Sequence, residues 1–144
     1  MIVLDAYAVL ALLKGEEAVR AVAELLESPE ETALTVLGVA EVLDHLVRLV
    51  GADADDAALD LAQLGLANPE PLAADIAMRA GLMRARHYHR SHRAVSLADC
   101  VAAETARTRA APVATSDPHL LDMCTVEAIA VRVLPDTAGN SWSP

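Results

Sequence analysis

A three-layer α/β/α sandwich around a central, mainly parallel sheet of four to five strands is the fold class this chain predicts. Short apolar runs at Ile2-Val3-Leu4, Thr32 to Val36, Pro112 to Thr115 and Val131 to Leu134 have the length of buried strands rather than of helices. Stretches with helical spacing of apolar residues separate them. Strands alternating with helices build a parallel sheet covered on both faces. No repeat, linker or low-complexity tract divides the 144 residues, so a single domain over 1–144 is expected.

The elements follow in order. Residues 2–5 form a buried strand, and a helix runs from Ala6 to Leu13 until Gly15 breaks it. A second amphipathic helix covers Glu16 to Glu27 and ends at Ser28-Pro29. Thr32 to Val36 is the second strand. Ala40 to Leu49 is a helix with Val39, Val42, Leu43, Leu46 and Val47 on one face, closed by Gly51. Asp53 caps a helix reaching Leu64. After the Asn68-Pro69 turn, Glu70 to Leu72 is a short edge strand. Helices then span Ala73 to His89 and Leu97 to Arg109, followed by the strand Pro112 to Thr115, a short helix Pro118 to Met123 and the last strand Val131 to Leu134. The tail from Pro135 carries no regular pattern.

Composition narrows the function. Hydrophobic residues are 54% of the chain and aromatics 2%, so the core is built from Ala, Val and Leu. A formal net charge of -10 argues against a globally basic nucleic-acid binder and leaves room for a local basic stripe, which exists over residues 79–93. The opening run Met1 to Leu13 lacks a basic start and a small-residue cleavage site, and it is too short to span a bilayer. A cytoplasmic location is therefore expected, with no membrane partner and with Cys100 and Cys124 as reduced thiols. No Cys-x-x-Cys and no Walker A sequence occur, so neither a zinc ribbon nor a nucleotide cofactor is expected.

Four acids stand against apolar runs: Asp5, Glu41, Asp99 and Asp117. Each has a plain structural explanation by itself. Asp5 and Asp117 suit helix N-caps, the latter with Pro118 at the first helical position. Ser96 to Asp99 has the form of a capping box, with the short Asp making the poorer reciprocal bond. Glu41 suits the edge of an apolar helix face. Their conjunction is the stronger observation. Asp5 and Asp117 follow parallel strands, whose carboxyl ends carry the ligand sites of open α/β sheets. Carboxylates crowded together repel and lose solvation, and a divalent cation offsets both effects.

The pieces Val3-Leu4-Asp5-Ala6, Val39-Ala40-Glu41-Val42, Leu97-Ala98-Asp99-Cys100-Val101-Ala102-Ala103-Glu104-Thr105-Ala106 and Ala114-Thr115-Ser116-Asp117, in this order, resemble the PIN-domain ribonucleases. The likeness is greatest to the VapC-type toxins of toxin–antitoxin pairs, and it spans nearly the whole chain. It implies metal-dependent endoribonuclease activity on structured RNA, tRNA or rRNA, by metal-activated water. It implies one or two Mg²⁺ or Mn²⁺ ions held by Asp5, Glu41, Asp99 and Asp117 as the catalytic acids, with Thr115, Ser116 and Tyr7 in support. It also implies a cognate VapB-type antitoxin and a homodimer. Two positions depart from the pattern: Tyr7 stands where the family often has Ser or Thr, and Cys100 replaces a common Ala.

Before the Asp99 helix lie Arg79, Arg84, Arg86, Arg90 and Arg93 with His87, His89 and His92. Such a run is either a solvated helix face or, with Arg84, Arg86, Arg90 and Arg93 as RNA contacts, a phosphate-binding rim. The histidine spacing matches no tetrahedral zinc set. Two rivals stand beside the nuclease: a non-catalytic PIN-like module that docks protein or RNA, and a phosphatase with Asp5 as nucleophile. The phosphatase is disfavoured because Lys14, in the first helix, is the only lysine.

Overall fold

In the computed structural model, which describes residues 1–144, four short strands pair in parallel in the order β2-β1-β3-β4. They are β1 (Ile2–Leu4), β2 (Thr32–Ala33), β3 (Val113–Thr115) and β4 (Val131–Val133). Helices α1 (Ala6–Lys14), α2 (Val19–Glu27), α3 (Val36–Asp44), α4 (Ala54–Gln63), α5 (Ala74–His87), α6 (Leu97–Thr108) and α7 (Pro118–Val126) connect and cover them. A π-helical turn, His45–Val50, continues α3.

The two-residue period of the strands sorts the core into two layers. Ile2, Leu4 and Ala114 face one side, where they meet Val9 of α1, Val22 of α2, Val42 of α3 and Leu61 of α4. Val3 and Val113 face the other, against Met83 of α5, Ala103 of α6 and Met123 of α7. The register pairs Val3 with Val113 and Leu4 with Ala114, so like-facing residues line up across the sheet. Small side chains let helices approach closely, which is how a core with no Phe closes.

Several boundaries move. The helix expected from Ala40 begins at Val36, because the Thr35 hydroxyl accepts the Gly38 N–H at 3.0 Å and starts α3 early. A Cβ at Gly38 would meet Leu34 Cδ2 at 3.1 Å, so a larger residue at this start would require the Leu34 side chain to give by a few tenths of an ångström. The second strand is correspondingly short, and Val36 is helical. The edge strand expected at Glu70 to Leu72 reduces to one bridge between Thr35 and Glu70. Helix α2 starts at Val19, since the chain turns at Gly15 with φ 71° before it can wind again. Helix α5 ends at His87, and α7 extends to Val126.

The chain leaves β1 towards β2 on one side and returns to β3 on the other. The crevice beyond the carboxyl ends of β1 and β3 is thus a topological switch point, where open α/β sheets hold their ligands. No helix is long and apolar enough to cross a membrane.

Candidate active site

Strand β1 delivers Asp5 to this crevice, and β3 delivers Thr115 and Asp117. The Asp5 side chain caps α1 and is 3% exposed. Its Oδ2 accepts the Thr115 hydroxyl at 2.7 Å, across 110 residues of chain. The same hydroxyl oxygen accepts the Asp117 N–H at 3.0 Å. Thr115 therefore ties the ends of two neighbouring strands together through one side chain. Asp117 in turn caps α7, its Oδ1 accepting the His119 N–H at 2.9 Å.

Asp99 enters from α6. Ser96 and Asp99 complete the capping box in both directions, and the reciprocal bond from the Ser96 N–H to Asp99 Oδ2 is 2.7 Å. The short Asp side chain thus closes the box well, contrary to the poorer bond expected for it. Glu41 enters from the second turn of α3, half-buried. The plain and the functional accounts of these acids are compatible, because each cap uses one carboxylate oxygen. Asp99 Oδ1, Asp117 Oδ2 and both Glu41 oxygens make no hydrogen bond within the protein. No buried side-chain oxygen lacks a partner, so these free oxygens reach solvent, where an ion or a substrate can meet them.

The electrostatics report the crowding. Burial and the charges of Asp99 and Asp117 push the Asp5 carboxyl up to about 7, against the opposing hydrogen bond from Thr115. Burial lifts Asp99, with Asp117 adding to the rise; hydrogen bonds from Ser96 and the field of Arg84 oppose it. Burial, then Asp99 and Asp44, lift Glu41. Tyr7 is raised by burial and then by Glu41, Asp5, Asp99 and Asp117, so all four acids act on one phenol. None of the four forms an ion pair. Lys14 and Arg48 are spent on other acids, Glu16 and Asp44, and Arg84, whose charge reaches Asp99, donates to the Val95 carbonyl.

An all-carboxylate donor set with free oxygens and no cationic partner suits a hard divalent cation such as Mg²⁺ or Mn²⁺. The acids do not form a finished chelate, however: no three His, Cys, Asp or Glu side chains stand together at metal-binding spacing. Uncompensated like charges favour such separation.

Tyr7, 57% exposed, stands at the mouth of the crevice and lines two cavities. One of about 350 Å³ includes Ser116, Asp117 and Pro118 in its wall. The other, of about 210 Å³, is bounded by Glu41, Asp44, His45 and Arg48. By sequence His45 reads as an ordinary surface or loop residue, whereas it opens the π-helical turn after α3. Its ring meets Tyr7 edge-on at 6.3 Å, a contact between residues 38 positions apart that no local pattern signals.

The basic stretch is largely engaged within the protein. Arg84 donates to the Val95 carbonyl at 2.9 Å and lies over the Tyr88 ring. Arg86 pairs with Glu127 and Arg93 with Asp122. His87 bonds both Glu127 and Arg93. Arg90 is exposed and makes no ion pair. His89 and His92 stack at 4.4 Å in the turn that bridges His89 to Arg93.

Residues 2–125 match the PIN domain. Among solved structures, the chain is similar to a toxin–antitoxin complex from Klebsiella pneumoniae, at 17% identity and TM-score 0.61, over 81% of this chain and 87% of that one. It is similar to FitAcB from Neisseria gonorrhoeae at 23% identity and TM-score 0.63, covering 91% and 96%. It is also similar to VapBC2 from Rickettsia felis bound to a DNA fragment from their promoter, at 15% identity and TM-score 0.68, covering 92% and 98%. At these identities the likeness is one of fold. No curated protein matches the sequence. With the domain match extending over most of the chain and the acids arrayed at its switch point, the chain belongs to the PIN domain family.

Proposed function

We propose that this protein is a metal-dependent endoribonuclease, the toxin of a VapC-type toxin–antitoxin pair. The observation that supports the reading is the Thr115 hydroxyl, which ties Asp5 to the Asp117 backbone at the sheet's switch point, with the charges of Asp99 and Glu41 felt at the same Asp5–Tyr7 corner. The solved toxin–antitoxin complexes of similar fold support the toxin assignment. The four acids would hold one or two Mg²⁺ or Mn²⁺ ions, which polarise a scissile phosphate and acidify an attacking water. Asp5 is the most buried of them, and near neutrality without a counterion it carries a proton part of the time. The Thr115 hydroxyl favours its ionised form and fixes the orientation of Oδ2. Asp99 offers its free oxygen from α6, Glu41 from α3, and Asp117 from the cap that joins β3 to α7. Ser116, in the wall beside Asp117, and Tyr7 complete the substrate-facing surface. Structured RNA is the proposed substrate, with a small VapB-type antitoxin and a second copy of the chain as partners, in the cytoplasm. Of the four arginines proposed as RNA contacts, Arg90 is the one without an internal partner; Arg84, Arg86 and Arg93 would have to exchange theirs for phosphate.

Incubating the purified protein with total tRNA and rRNA in Mn²⁺ and mapping new RNA ends tests the proposal. Cleavage by the wild type and its loss in Asp5→Asn, with the fold intact by circular dichroism, is the expected result. The open spacing of the acids favours one rival, a PIN module that binds without cutting. That rival gains the case if no Mn²⁺ concentration yields new ends.

A further inference from the structure

Tyr7 is large, aromatic and more than half exposed, in a chain with two tyrosines, one tryptophan and no phenylalanine. Exposing an aromatic ring at the edge of an acidic crevice forgoes hydrophobic stabilisation. The backbone under the ring is fixed, its N–H donating to Asp5 Oδ1 at 3.4 Å as the α1 cap, and the ring itself meets the His45 ring edge-on at 6.3 Å, with planes at 81°. His45 is positioned in turn by the π-helical turn and by Lys14, whose Nζ lies 3.4 Å from His45 Nε2. Such π-turns concentrate at functional positions.

The cavity these residues bound is about 210 Å³. An apolar cavity of about 150 Å³ takes up benzene, so this one has room for a single heterocyclic ring. Its walls are mixed. Ala6, Leu10 and Leu49 supply apolar surface, Tyr7 and His45 supply ring faces and edges, and Asp44 with Arg48 supplies acceptors and donors at the rim. Glu41, one of the four acids, forms part of the same wall.

We infer that Tyr7 and His45 form a nucleobase subsite, in which one unpaired base of the substrate stacks while its neighbouring phosphodiester lies at the acids. This rests on the nuclease proposal for its substrate class. An acidic surface repels the phosphate backbone, so binding there needs an attraction independent of charge. Stacking on an aromatic ring provides one that every base can use. Tyr7 thereby selects for a flexible or looped nucleotide over a paired one, since only an unstacked base can enter the cavity. Arg48 and Asp44, bonded to each other at 2.8 and 2.9 Å, present both a donor and an acceptor to the base edge.

The test uses 2-aminopurine ribonucleoside 5′-monophosphate, a fluorescent base with no phosphodiester to cut. Titrated with the full-length protein, it should show saturable quenching. Tyr7→Phe should retain it, and Tyr7→Ala should weaken it about tenfold. His45→Ala should weaken it less, and ribose 5-phosphate, which lacks a base, should not compete. Because Tyr7 is exposed, its replacement leaves the fold in place, as thermal melts would verify. Quenching that is absent, or equal in wild type and Tyr7→Ala, would overturn the subsite and leave this face to a protein partner. The two proposals fail separately. Tyr7-dependent quenching in a protein that cuts no RNA removes the nuclease and keeps the subsite. RNA cleavage without quenching does the reverse.

Discussion

Asp5 concentrates the chemistry of this protein in one side chain. Its carboxyl is raised from 3.8 to about 7 by burial and by neighbouring acids, so the folded state holds a proton that the unfolded chain releases. A group shifted in this direction stabilises the fold at low pH and loses that contribution as pH rises through about 7. At about 1.4 kcal/mol per unit, the full effect is on the order of 4 kcal/mol. In chelator, the melting temperature of the wild type should fall between pH 5 and pH 7 relative to Asp5→Asn, and the two profiles should run parallel above pH 8. Parallel profiles throughout would show that Asp5 is not crowded. Thr115 is the second such residue. Thr115→Val keeps the shape of the side chain but removes the donor to Asp5 and the acceptor of the Asp117 N–H. It should cost about 1–3 kcal/mol in urea unfolding and depress RNA cleavage well beyond that loss. The acids themselves were legible as residue types beside apolar runs. Thr115 was legible as a supporter of the turn, but the bond it makes to Asp5 joins positions that only the sheet brings together.

At the scale of elements, three helices are pinned around Glu127, which follows α7. Arg86 and His87 from α5 and Arg107 from α6 all bond its carboxylate, which is largely covered. The hydrogen bonds from Arg86, Arg107 and His87 hold this carboxyl down at about 2. Its stabilisation is present above the ordinary glutamate range and is lost as pH falls towards 2. Glu127→Ala should therefore destabilise by about 1–2 kcal/mol, because Arg86 and Arg107 are about half exposed and regain water when the carboxylate is lost. Glu127→Gln should remove this residue's share of the stability lost between about pH 4.5 and pH 2, read as a shallower acid titration by circular dichroism than that of the wild type. The arginine run was visible in the sequence as a charge pattern, open between a solvated face and a phosphate rim. Its actual partners, Glu127 and Asp122, lie 29 to 41 residues away on another element, beyond the reach of local patterning. Helix starts show the same limit. Asp53, Ser96 and Asp117 were readable caps because polar residues precede apolar periodicity there. Thr35 was not, because the run from Thr32 onward suits strand and helix alike until its hydroxyl meets the Gly38 N–H.

For the whole molecule, the net charge of -10 and the unpaired acids make cation binding a stability question as well as a catalytic one. A divalent ion that binds only the folded state raises stability by mass action, about 2.7 kcal/mol at a hundred times its dissociation constant. Mn²⁺ should raise the melting temperature of the wild type at constant ionic strength, and a chelator should reverse it. The combined Asp5→Asn, Asp99→Asn variant should show neither response. An equal rise in that variant would assign the effect to general screening of the negative surface.

Sequence alone determined the fold class, the order and approximate extent of most elements, and the four acids worth watching. Those properties are written in composition and in periods of two and 3.6 residues, which are local quantities. Tertiary structure decided the rest. It set which strands are neighbours and hence that Asp5 and Thr115 bond, that Tyr7 faces His45 across a cavity, and that Arg79 and Arg86 of α5 have acids of their own. Such pairings depend on how the sheet orders its strands and how the two helical layers close over it, and electrostatic energy depends on distance through space rather than along the chain.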